Sequence, residues 1–163
     1  MYDIVRIDHF RGFAGYYHIP FGDENARRGQ WASAPGIQLF RRIKEKYPKS
    51  KIIAEDFYYY YLDYPYGMTP LKKTYTYNPY LKKLNQMGRN RVLGVETPIW
   101  TEYVEDFDRL CYMCFPRMIA VGERGWTSPK NADYESFKKR VKNCEGLLKE
   151  IGIKMADSSE WDP

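Results

Sequence analysis

Four side chains that carry protons or charge, Arg6, Asp8, His9 and Arg11, crowd into six positions near the start of the chain. Asp8 stands between two arginines. Nearby positive charge favours a carboxylate over the acid, so Asp8 is expected to stay ionised. An ionised carboxylate at a strand end can act as a nucleophile or as an electrostatic stabiliser. The same residues can equally form an Arg–Asp network that caps the strand, because structural ion pairs perturb carboxylates too. A second carboxylate, Glu55, closes the short run Lys51-Ile52-Ile53-Ala54. A retaining glycosidic pair needs two carboxyl groups about 5–5.5 Å apart, one as nucleophile and one as acid then base. Glu55 would fill the second role with its proton held by burial and by Asp56 beside it.

The elements that must place these groups are legible in outline. Ile4, Val5 and Ile7 read as a buried strand, and an apolar strand ending in a charge cluster suits a parallel sheet. Residues 12 to 34 read as a long loop holding Gly12, Gly15, Pro20, Gly22 and Gly29. Pro35-Gly36 opens a helix, proline being acceptable in a first turn. Ile37, Phe40, Ile43 and Tyr47 share one face of it, and Pro48 ends it. Lys51 to Glu55 is the second strand. If the two strands are parallel neighbours, Asp8 and Glu55 emerge on one rim.

A tyrosine-rich run from Phe57 predicts a strand over 58–63. Short helices are expected at 70–75 and 80–87, and a strand at 91–96 that leads into Ile99-Trp100-Thr101-Glu102. An apolar helical pattern from Phe107 to Val121 must break at Pro116. Asp133 caps a last helix that runs to Ile151 and stops at Gly152. Residues 156–163 are expected to fray. The fold class this predicts is α/β, a partial (β/α)8 barrel of about four parallel strands with packed helices, forming one compact unit. Asp63, Trp100 and Glu102 each follow a predicted strand, so they join Asp8 and Glu55 at the C-terminal rim.

Two resemblances sharpen the chemistry. Arg6-Ile7-Asp8-His9-Phe10-Arg11-Gly12, then Pro20-Phe21-Gly22-Asp23, Gly29-Gln30-Trp31, Pro35-Gly36 and Ile52-Ile53-Ala54-Glu55-Asp56, resembles the amylomaltases. These are the 4-alpha-glucanotransferases of glycoside hydrolase family seventy-seven. The likeness covers about residues 2–57, within a segment taken as 1–57. It implies Asp8 as nucleophile and Glu55 as general acid/base, with Arg6 and His9 beside the substrate. Ser33-Ala34 stands where the family usually has Lys-Gly, and the family's third carboxylate has no counterpart.

Residues 58–150 resemble the C-terminal part of family-twenty beta-N-acetylhexosaminidases, and the segment they mark runs over 58–155. The likeness rests on Tyr61-Leu62-Asp63-Tyr64, Val92-Leu93-Gly94-Val95-Glu96, Trp100-Thr101-Glu102-Tyr103, Phe115-Pro116-Arg117 and Glu123-x-x-Trp126. It implies that Tyr61 holds an acetamido oxygen, while Asp63, Trp100 and Glu102 line the sugar pocket and bind hydroxyls. That family's catalytic Asp-Glu pair lies upstream of the matched stretch. The chain therefore reads as a chimera of two barrel segments joined near residues 56 to 60. Three functions stay open: retaining transfer of alpha-1,4-glucan units, a hexosaminidase-like hydrolase fragment, and sugar binding without turnover. The expected partner is an oligosaccharide, an alpha-glucan or an N-acetylhexosaminide.

Bulk properties narrow the classes. The chain has 163 residues, 44% of them hydrophobic and 29% charged, which is a globular composition. Sixteen tyrosines raise the aromatic share to 17%, and tyrosine offers both a flat face and a hydroxyl to a sugar ring or to a core. A net charge of +5 without a long basic run gives no argument for nucleic acid. No apolar run suits a membrane span, and the N-terminus lacks a signal-peptide pattern, so with Met1 as the true start the chain reads as cytoplasmic. Cys111, Cys114 and Cys144 read as free thiols, with no second Cys or His pair for zinc. The chemistry needs no cofactor. An open half-barrel can hide its strand edges against a second copy, which would make a homodimer.

Overall fold

A computed structural model describes residues 4–54, 60–80 and 85–163. The chain is mixed α/β and divides into two compact units, Met1–Phe57 and Tyr58–Pro163. No helix among the described residues is long and apolar enough to cross a membrane.

In the first unit, β1 (Ile4–Ile7) pairs in parallel with β4 (Lys51–Ala54), in the register Ile4 to Lys51 through Ile7 to Ala54. The crossover carries α1 (Gly36–Lys46), which realises the predicted face of Ile37, Phe40 and Ile43. The predicted loop contains an antiparallel ribbon, β2 (Gly15–His18) with β3 (Gln30–Ser33). Its closure has a local cause. The Tyr17 hydroxyl lies 2.9 Å from the carbonyl oxygens of both Ala26 and Gly29, and its ring meets Trp31 edge-on at 5.5 Å. Gly36 lets α1 begin tight against the turn at Phe10–Phe13, because a Cβ there would sit 2.0 Å from the Phe13 carbonyl oxygen.

Burial in this unit departs from the sequence expectation. Ile4 and Val5 are 48% and 50% exposed rather than buried. Among the described residues this sheet has two strands, each with an open edge, and Gly36 is the buried residue of α1. Phe10, Phe13 and Phe40 cluster with ring centroids 5.0 to 6.0 Å apart, yet they line an open apolar groove of about 570 Å³ with Ile37.

The second unit is helical: α2 (Leu71–Thr76), α3 (Gln86–Arg89), α4 (Phe107–Cys114), α5 (Arg117–Trp126), α6 (Tyr134–Asn143) and α7 (Glu145–Glu150). Asp106 caps α4 by accepting the Arg109 N–H at 2.7 Å, and Asp133 caps α6 by accepting the Ser136 N–H at 3.0 Å. Pro116 separates α4 from α5, as its missing N–H requires. The expected single last helix is broken at Cys144, and Gly152 follows α7 in the left-handed region at φ 82°. Tyr66, Leu71, Tyr75, Ala120, Tyr134, Phe137, Val141, Ala156 and Trp161 form one core. Burying each large side chain stabilises by about 1.5–3 kcal/mol relative to exposure.

One expectation fails here. The segment 156–163 does not fray. Trp161 is 0% exposed, its indole N–H donates to the Ala156 carbonyl at 2.8 Å, and its own carbonyl accepts the Leu71 N–H at 2.8 Å. Of the parallel sheet of about four strands, the described residues hold the β1–β4 pair, with the β2–β3 ribbon as a second small sheet. Tyr58 and Tyr59 lie outside the described residues, and neither Tyr60–Asp63 nor residues 91–96 are strand. The two segments are still tied. The Leu62 N–H donates to the Pro98 carbonyl at 3.1 Å, and the Thr97 hydroxyl donates to the Tyr60 carbonyl at 2.5 Å.

Candidate functional site

The eight residues singled out by sequence fall into both units, and each set has its own geometry. In the first unit, the Arg6 Nε lies 3.1 Å from Asp8 Oδ1, in an ion pair whose side chains are both well exposed. Exposed pairs of this kind contribute about 0–1 kcal/mol. Arg11 was expected to flank Asp8 as well; its guanidinium instead sits over the Trp31 ring, 4.1 Å from the centroid. His9 occupies the left-handed region at φ 47° and starts the 3-10 turn over Phe10–Phe13. Glu55 lies outside the described residues. The strands that lead to it and to Asp8 are parallel, with Ile7 opposite Ala54, so their C-terminal ends lie together.

In the second unit a built constellation surrounds Asp63. This residue is 2% exposed. Its carboxylate accepts the Trp100 N–H on both oxygens at 2.8 Å and the Thr101 N–H on Oδ1 at 2.8 Å. Charge-assisted bonds to backbone N–H groups are roughly twice as strong as neutral ones. They hold a turn that would not hold itself, because Thr101 sits at φ 65°. A non-glycine residue there costs on the order of 1–3 kcal/mol and persists only where its surroundings enforce it.

The consequence is a juxtaposition of sequence-distant groups. Tyr61, two residues before Asp63, is half-buried with its ring 5.4 Å from that of Tyr64. Trp100 is 46% exposed. Glu102, directly after Thr101, is exposed and lines an open cleft of about 720 Å³ with Tyr103, Asp106, Arg109 and Tyr112. An aromatic ring, a carboxylate and a phenol are groups that can stack on a pyranose and accept from its hydroxyls. No group of His, Cys, Asp and Glu able to hold a metal ion occurs among the described residues. Cys111 and Cys114 are buried free thiols, and burial pushes the Cys114 thiol up, away from the reactive thiolate.

Sequence reasoning missed the buried groups that bond to the backbone around Asp63. Arg117 is fully buried, and Tyr66 beside it donates to the Phe115 carbonyl at 2.8 Å. Burial is the main cause that raises the Tyr66 phenol well above its ordinary value. The motif Phe115-Pro116-Arg117 was visible, but nothing local in it points to partners some fifty residues earlier.

Comparison with known proteins finds two families, whose matches overlap at residues 36–61. The 4-alpha-glucanotransferase family model matches residues 1–61. The model for the catalytic domain of glycosyl hydrolase family 20 matches residues 36–129. A 4-alpha-glucanotransferase of Streptococcus pneumoniae serotype 4 is 54% identical over 56 residues, covering 34% of this chain and 11% of that protein. A beta-hexosaminidase of Porphyromonas gingivalis is 36% identical over 87 residues, covering 53% of this chain and 11% of that protein. Among solved structures, a mutant Streptomyces plicatus beta-hexosaminidase in complex with its product GlcNAc superposes with a TM-score of 0.59 at 28% identity. That match covers 74% of this chain and 26% of the other. The chain thus spans about a tenth of the curated relatives and about a quarter of the solved one.

Proposed function

The chain belongs to glycosyl hydrolase family 20, and from that membership we propose that its second unit binds the ring of an N-acetylhexosaminide without hydrolysing it. The observation that carries this reading is the Asp63 carboxylate gathering the Trp100 and Thr101 amides, which sets Trp100 and Glu102 beside the Tyr61–Asp63 segment. In this reading Trp100 stacks on the apolar face of the sugar and Tyr61 meets the acetamido oxygen. Glu102 accepts from ring hydroxyls, and Asp63 acts through the backbone it holds. GlcNAc bound to the Streptomyces plicatus enzyme supports the choice of sugar. The proposal is of binding because the resembled stretch carries the sugar-pocket positions, while the family's catalytic Asp-Glu pair belongs to a segment upstream of it. Each positioned catalytic group is worth orders of magnitude in rate. The test is a tryptophan-fluorescence titration with GlcNAc. Saturable quenching in the wild type and its loss in Trp100→Ala are expected; equal quenching in both would remove the site.

The first unit supports a second reading on one observation, the parallel register that sets Ile7 against Ala54. Asp8 and Glu55 then follow neighbouring strand ends, as a retaining pair of 4-alpha-glucanotransferase type requires. Asp8 would be the nucleophile and Glu55 the acid/base, with Arg6 and His9 beside the glucan. Asp8→Asn is expected to abolish glucose release from maltotriose, and equal rates in both proteins would end this reading.

The finer architecture belongs to the same proposal. Both units derive from (β/α)8 barrels and form a chimera, a reading that the two family matches support. A second copy would cover the open edges of β1 and β4. Light scattering at concentrations on the order of tens of micromolar, set against ordinary homodimer affinities, tests this; a monodisperse monomer rules it out.

A further inference from the structure

We infer that Arg117 is a positioning residue for the sugar platform, acting through the backbone on either side of Asp63; its role for the sugar rests on the binding reading above. The guanidinium is fully buried, and every donor it owns is spent on a carbonyl. Nη2 donates to the Leu62 carbonyl at 2.9 Å and Nη1 to the Tyr64 carbonyl at 2.7 Å. Nη1 also reaches the Thr69 carbonyl at 3.3 Å, while Nε and Nη2 both reach the Met113 carbonyl. The Tyr66 ring closes one face, 4.3 Å from the guanidinium carbon.

Leu62 and Tyr64 are the two neighbours of Asp63. Fixing both of their carbonyls fixes the direction in which the Asp63 side chain leaves the backbone. That direction decides whether the carboxylate meets the Trp100 and Thr101 amides. The chain of cause therefore runs from Arg117, through two carbonyls, to one carboxylate and a strained turn, and ends at the Trp100 ring and Glu102. A rigid planar fork is needed at Arg117, because a lysine ammonium has three donors on one atom and cannot span carbonyls on residues 62, 64, 69 and 113. None of these partners is a carboxylate, so the arginine here orders backbone rather than making an ion pair. A purely structural buried arginine has no reason to grip both neighbours of the one aspartate that builds the site.

Native-state hydrogen exchange on the intact chain tests the inference. In the wild type, the Arg117 Nε–H and the Trp100 and Thr101 amides are expected to exchange with the same dependence on sub-denaturing urea, as one cooperative unit. Independent opening overturns the proposal without any variant. Arg117→Lys is then compared with Tyr66→Phe, which removes the phenol's bonds to the Phe115 and Tyr112 carbonyls and its contact with Arg117, and leaves the guanidinium–carbonyl bonds in place. In Arg117→Lys, protection at Trp100 and Thr101 is expected to fall at least tenfold more than at Val121 in α5. In Tyr66→Phe the three are expected to fall together. A uniform fall in both variants means a merely structural arginine and overturns the proposal. So does unchanged GlcNAc affinity in a folded Arg117→Lys. If Arg117→Lys does not fold, the wild-type urea series decides alone. If the wild type binds no GlcNAc, the sugar reading falls, while the exchange data still decide whether Arg117 holds the turn.

Discussion

The two units invert the usual relation between likeness and stability. The first matches its relative at 54% identity but buries little: Ile4 and Val5 are about half exposed, and three phenylalanines line an open groove. The second matches at 36%, yet it closes a core around Trp161, Phe137 and Leu71 and satisfies a buried arginine. Motifs record where a segment comes from, whereas stability depends on what the segment can bury. Short strands and one helix cannot remove both faces of a two-stranded sheet from water. Helices joined by capped turns can close on themselves, and the docked C-terminal segment completes the closure here.

This contrast makes graded predictions. The largest effect is expected for Trp161→Ala, which empties the centre of the second unit and should cost about 3–5 kcal/mol. Phe40→Ala in the first unit should cost about 1 kcal/mol or less, since its ring is only part-buried. Urea melts followed by helical circular dichroism measure both, and equal costs would erase the contrast. Next is Asp63→Ala, which strands the Trp100 and Thr101 amides and should cost about 1–3 kcal/mol, together with loss of GlcNAc quenching. Retained quenching would show that the turn holds without the carboxylate.

Alkaline pH gives a third comparison. Burial raises the Tyr66 phenol, and burial with the Asp162 contact raises Tyr134, both in the second unit. A group whose folded value lies above its unfolded one contributes stability that is intact below the unfolded value. That contribution is lost as pH climbs toward the folded one. The second unit should therefore weaken above about pH 10, the ordinary tyrosine range, and Tyr66→Phe should blunt the slope. A flat profile between pH 9 and 11 (roughly the span across that value) would contradict the assignment. The smallest effect is expected for Arg6→Ala, whose exposed pair with Asp8 should change stability by about 0–1 kcal/mol.

What was legible in the sequence follows from how local each cause is. The face of α1, the Asp106 and Asp133 caps, the break at Pro116 and the strands 4–7 and 51–54 are written within a few residues of where they act. The signal for the Asp106 cap is an aspartate before an apolar helical run. The ribbon of β2 and β3 was hidden because glycines and a proline between Gly12 and Gly29 read as loop, while its closure depends on one tyrosine hydroxyl. The strands expected at 58–63 and 91–96 carry strand propensity, but a strand also needs a ladder partner, and propensity cannot supply one. Trp161 is a single apolar residue in a polar stretch, so its burial was invisible without the cavity that receives it. Asp63, Trp100 and Glu102 were named from the family motif, but the bond between Asp63 and the Trp100 turn spans 37 residues and had no sequence signature.

The central claim is that the second unit presents a sugar platform built on Asp63. The most direct measurement is an amide and indole NMR titration of the full chain with GlcNAc, with maltotriose in parallel. GlcNAc is expected to shift Trp100, Thr101, Glu102 and Tyr61 along one saturating curve, and to leave the core amides of Phe137 and Val141 in place. Shifts spread evenly over the chain, or none at Trp100 at concentrations on the order of 100 mM, well above a millimolar Kd, would contradict it.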